Sequence, residues 1–168
     1  KQAEPINAKI QKAWRADKKL EAIGFVDELV ALDPEMYGSA AIWKATVLMK
    51  DLSKPDEAQA YMRGAFEGVL KDTPEALNGF AWCIVDGEDG AKHDLDLAIR
   101  MARRADELTK GQEPNVKDTL ARALFLKGDV DAAITTQQAA LSLVQDDKEA
   151  KDELQKTLDA YRASKEKK

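Results

Sequence analysis

Val116–Leu143, VKDTLARALFLKGDVDAAITTQQAALSL, decides the fold class. Leu120, Leu124 and their neighbours recur at helical spacing and make one apolar stripe. Gly128 then interrupts the pattern, and Ala132, Ala133, Ala140 and Leu141 make a second stripe. The stretch therefore reads as two helices joined by a tight turn. Helices of this length are marginal alone in water, so the pair needs neighbours to cover its apolar faces.

The same frame recurs upstream. Ala58, Met62 and Ala65 follow IWKATVLM, with Ser53 and Pro55 opening the second helix, and Ala98, Ala102 and Ala105 follow LNGFAWCIV. A first, degenerate unit carries Ala22, Val26, Leu29 and Pro34 at second-helix positions in LEAIGFVDELVALDPE, behind a weak first helix, INAKIQKAW. Small residues at Ala58, Ala98 and Ala133 let paired helices approach closely, while larger ones such as Leu120 fill the gaps, each contributing roughly 1.5–3 kcal/mol on burial. Finally KEAKDELQKTLDAYR sets Leu154, Leu158 and Tyr161 on one face of a charged helix, which suits a terminal cap.

These units resemble the tetratricopeptide repeat, a helix pair of about 34 residues. Leu120 stands at the family's Leu position, Ala121 at the small residue beside it, Leu124 at the aromatic site, Gly128 at the turn, and Ala133 and Ala140 at the small second-helix sites. Gln137 replaces the family's aromatic and Gln145 its closing proline. The resemblance implies an all-α, right-handed superhelical stack of antiparallel helix pairs over residues 1–168. Its units are 3–38, 39–73, 74–113 and 114–147, with a capping helix at 148–163.

Composition narrows the function. The chain has 168 residues, one Cys, one His and a net charge of -5. One Cys excludes an internal disulfide framework and a CxxC redox pair within these residues. The acidic balance disfavours a nucleic-acid surface, which needs clustered cations. Arg100, Arg103 and Arg104 are interleaved with Asp96, Asp106 and Glu107, as on a solvated helix face, and Lys165, Lys167 and Lys168 sit in a terminal tail. No apolar run reaches membrane-span length, so no membrane insertion is expected. The start at Lys1 rather than Met suggests a piece of a longer protein.

The sole Cys and His flank one acidic stretch, WCIVDGEDGAKHD, Trp82–Asp94. Cys83 and His93 with Glu88, Asp89 or Asp94 match no compact zinc pattern, and the acids do not follow a calcium-loop order, so no metal or cofactor is expected. The stretch reads instead as an inserted inter-helix loop, turned by Gly87 and Gly90, with Asp94 as N-cap of the next helix. Cys83 lies on an apolar helix with no cation near it in sequence, so it reads as a small hydrophobe. Nothing pairs a nucleophile with a base, and no catalytic residue is assigned.

The repeat resemblance also implies a binding face. First helices line the concave side in that family, which places Trp43, Lys44, Val47, Lys50, Asn78, Trp82, Asp118, Arg122 and Phe125 there, extended by Trp14 and Arg15. Aromatic anchors among Arg, Lys and Asn suit a peptide or partner protein, although a Trp at helical spacing is often core instead. The family's carboxylate clamp is not reproduced, because Thr119 and Gly79 occupy positions where it needs side-chain donors. The expected function is a non-catalytic interaction scaffold.

Over Pro74–Arg162 the chain is also similar to the C-terminal repeat extension of bacterial thioredoxin-like proteins of the redoxin class. That resemblance implies the alternative of an accessory region of a thiol-disulfide oxidoreductase, with a thioredoxin-like domain ahead of Lys1. It also implies a periplasmic or cell-envelope location, in place of the cytoplasm.

Overall fold

A computed structural model describes residues 2–86 and 93–166 of the chain, and all regular structure among these residues is helical. The helices are α1 (Ala3–Arg15), α2 (Lys19–Gly24), α3 (Val26–Leu32), α4 (Pro34–Thr46), α5 (Pro55–Glu67), α6 (Pro74–Val85), α7 (Leu95–Leu108), α8 (Pro114–Lys127), α9 (Val130–Leu143) and α10 (Lys148–Glu166). The chain divides into two compact units, Lys1–Cys83 and Ile84–Lys168, so the division falls within the last turn of α6.

Local chemistry sets the helix starts. Proline opens α4, α5, α6 and α8, where its missing N–H costs nothing and its fixed φ suits the first turn. Aspartate caps α7, α9 and α10 by accepting a main-chain N–H three residues on: Asp94 from Leu97 at 2.9 Å, Asp129 from Ala132 at 3.2 Å and Asp147 from Ala150 at 3.0 Å. Asp33 does the same for α4, from Met36 at 2.9 Å. Pro34 therefore begins α4, not a second-helix end as the sequence pattern suggested, and the 38/39 boundary falls inside this helix.

Two further departures concern continuity. The helix expected across LEAIGFVDELVAL is broken at Phe25, whose N–H turns back to Ala22 O at 3.3 Å in a tighter, three-residue step. In contrast, α4 runs on as a π-helical turn, Val47–Asp51, closed by Leu52 N–H to Val47 O at 3.0 Å.

In the first unit α4 and α6 lie side by side and run parallel. Gly38 faces Ala76, Ile42 faces Gly79, and Thr46 Oγ1 lies 3.3 Å from Cys83 Sγ, so contacts advance together along both helices. A Cβ on Gly79 would stand 2.7 Å from Ile42 Cγ1 and nearer still to Cδ1, so any larger residue here forces the Ile42 side chain to shift. Behind the pair, Ala58, Met62, Leu70, Leu77 and Phe80 are fully buried, and Phe80 meets Tyr61 edge to face at 6.1 Å.

The second unit packs α7, α8, α9 and α10 each against the next. Gly128 takes the left-handed conformation (φ 93°) that ends α8, and two residues later α9 starts back along it. Ala98, Ala102, Ala105, Ala133 and Ala140 are fully buried, as small residues at close helix contacts should be, whereas Ala132 and Leu141 are half-buried. Leu154, Leu158 and Tyr161 form the buried face of α10. Gln137, where the repeat pattern has an aromatic, is fully buried. Its Nε2 donates to Asp118 Oδ1 at 2.7 Å and to Leu154 O at 3.4 Å, tying α9 to both neighbours.

Tyr161 stacks on Phe125 with ring centroids 4.3 Å apart. Burial, then the nearby Asp118 carboxylate, push its hydroxyl from 10.0 up to about 12, against the opposing pull of Arg122. The folded state thus favours the neutral phenol, and its contribution to stability is complete below pH 10 and lost as pH rises through about 12. Stability should fall across that window with a slope of up to about 1.4 kcal/mol per pH unit for this one proton. Urea midpoints measured through that range should fall less steeply in Tyr161→Phe than in the wild type. Tyr61 is raised by burial and by Asp27, so part of the slope should remain. Identical slopes in the two proteins would show that Tyr161 ionises without unfolding.

Candidate functional site

The first unit carries a cleft of about 430 Å³ where α1, α3 and α4 meet. On α1, Asn7, Ile10 and Gln11 share one face by their spacing of three and four, and on α4 Tyr37, Ala40 and Trp43 recur at intervals of three. Ser39 and Leu29 complete the lining. The wall combines two aromatic rings and aliphatic surface with carboxamides and hydroxyls, and the described residues that line it are uncharged. A peptide has matching chemistry, since its main chain offers donors and acceptors to Asn and Gln while its side chains cover the rings.

Trp43 is the residue of the expected binding face that lies in this cleft. It is half-buried and meets Trp14 edge to face at 5.1 Å, and Lys19 Nζ lies 5.7 Å from the Trp14 ring centroid. Lys44, the next residue, turns to other neighbours. Its Nζ donates to Asp27 Oδ2 at 2.7 Å and lies 4.3 Å from the Tyr61 ring centroid, joining α3, α4 and α5. Val47 is 1% exposed and belongs to the core, while Lys50 is exposed.

The remaining expected residues divide between the units. On α6, Asn78 is half-buried and its Oδ1 is buried without a hydrogen-bond partner among the described residues, and Trp82 is 39% exposed. In the second unit Asp118, Arg122 and Phe125 are engaged internally. Asp118 accepts from Gln137, Phe125 stacks on Tyr161, and Arg122 Nε donates to Val85 O at 2.8 Å. These three side chains brace α8 against its neighbours. Asn7, Ile10, Gln11, Tyr37 and Ser39 are absent from the expected binding face: INAKIQKAW reads as a poor first helix of which only Trp14 joins that face, and Tyr37 and Ser39 fall at the boundary drawn between the first two units. The spacing on α1 was the available signal.

Cys83 is buried beside Thr46, Asp94 caps α7, and His93 is half-buried. Gly87, Glu88, Asp89 and Gly90 lie outside the described residues. Among the described residues no group of three His, Cys, Asp or Glu side chains is arranged to hold a metal ion, and no helix is long and apolar enough to cross a membrane. No family model matches the chain, and no curated protein matches it in sequence.

Proposed function

We propose that this chain is a non-catalytic interaction scaffold of the tetratricopeptide-repeat kind, holding a peptide or partner-protein segment in the cleft between α1 and α4. The uncharged cleft lined by Trp43, Tyr37, Asn7, Gln11 and Ser39 carries this reading. The repeat component draws support from a shared interval: Thr46 meets Cys83 in the first unit and Arg122 meets Val85 in the second, each across 37 residues. That interval is close to the helix-pair period of about 34 residues.

Selection of a random peptide library on the immobilised protein tests it. Selected peptides should lose about tenfold or more in affinity, roughly 1.4 kcal/mol, to a Gln11→Ala, Trp43→Ala variant that keeps its far-ultraviolet circular dichroism. A single Asn7→Ala variant, which leaves the Trp43 ring in place, should lose less. Selection of no peptide, or peptides that bind both variants as tightly as the wild type, would overturn the assignment.

A further inference from the structure

We propose that a second groove, between α3 and α5, docks a partner-protein segment that presents a large apolar side chain with a lysine or arginine about one helical turn away. This surface is separate from the α1–α4 cleft: α3 gives Leu29 to that cleft but Asp27, Val30 and Ala31 to this groove.

The groove encloses about 350 Å³. Val30 and Ala65 are buried beneath it, and Ala31, Ala60 and Gly64 are exposed along it. Val69, also in its lining, keeps 51% of its surface exposed. Gly64 is the informative residue. It lies inside α5, where glycine weakens a helix, yet a Cβ built on it meets nothing within 4 Å and its φ is not positive. Neither close packing within the chain nor backbone geometry calls for glycine here, in contrast to Gly79. With Ala60 one turn earlier, it leaves a recess into which a partner's side chain can sink against Val30 and Ala65.

Charge selects the occupant. Among the described residues that line the groove Asp27 is the charged one, and its side chain is 60% exposed. Its ion-pair partner Lys44 is sunk to 13% exposure beneath Tyr61, so the pair presents its negative end to solvent. Asp27 and Ala31 are one turn apart on α3, as are Tyr61 and Ala65 on α5. The acidic end and the apolar recess are therefore about 5–6 Å apart, the spacing of a Lys and a Leu at i and i+4 of an amphipathic helix.

Two labelled synthetic helical peptides serve as probes, both with Leu at i, i+3, i+4 and i+7, one flanked by Lys and the other by Glu, with binding followed by fluorescence anisotropy. The wild-type protein should bind the Lys peptide about tenfold or more tightly than the Glu peptide. Gly64→Leu should fill the recess and weaken Lys-peptide binding by about tenfold while its unfolding midpoint holds or rises, because a helix former replaces glycine in open space. Ala60→Leu, also exposed, should weaken Lys-peptide binding likewise, and Asp27→Asn should bring the two peptides together in affinity. The proposal is overturned if the wild type binds neither peptide or both equally, or if the filled variants bind the Lys peptide as the wild type does.

Discussion

Replacing Phe80 with Ala is expected to remove about 3–5 kcal/mol of stability. The ring is fully buried in α6, so truncation deletes its transfer free energy and leaves a cavity that packed helices close only in part. It also removes the edge-to-face contact with Tyr61, a further contribution of about 0.5–1.5 kcal/mol in such pairs. Single domains are commonly stable by only 5–15 kcal/mol, so the loss should appear as a large drop in urea midpoint. A drop equivalent to less than about 1 kcal/mol would mean that the core of the first unit does not close around this ring.

The second large effect is expected at Gly79→Leu, where two terms compete. Leucine is the better helix former by roughly 0.8–1 kcal/mol. Against that, its Cβ would fall 2.7 Å from Ile42 Cγ1, inside the 3.0 Å that real Cβ contacts essentially never cross, and the rest of the side chain must also find room. Overpacking of this kind costs about 1–3 kcal/mol, so destabilisation should win. Gly79→Ala should cost less, because the nearest obstruction is the movable end of the Ile42 side chain. Adding Ile42→Ala to Gly79→Leu should recover stability, giving a double-mutant coupling beyond about 0.5 kcal/mol. Strict additivity of the two substitutions would show that α4 and α6 do not touch at this point.

The second substitution probes the close parallel approach of α4 and α6, which the sequence shows unevenly. LNGFAWCIV was legible as a helix, but Gly79 entered the reading only as a missing side-chain donor. Its role as the contact point for Ile42 depends on a residue far away in the chain. Gln137 is a similar case: from sequence it departed from an aromatic pattern, and in the fold it is a buried amide joined to Asp118 and Leu154 O.

The candidate site was less legible than the fold. Trp43 was picked out as an aromatic on an expected first helix, and it does line a cleft. Asp118, Arg122 and Phe125 have the residue types of a binding face, yet they engage Gln137, Val85 and Tyr161. Residue type cannot distinguish a charged side chain that meets a partner from one that meets the next helix, because both need the same donors and acceptors.

What the sequence determined by itself was the all-helical class, the small residues at helix contacts and the apolar face of α10. All three follow from periodicity and side-chain volume within a few turns of one helix. The tertiary structure alone decided which glycine meets a neighbouring helix and which faces open space, and which aromatic and charged side chains face open grooves. Those outcomes depend on side chains brought together from distant parts of the chain, and local spacing holds no information about them.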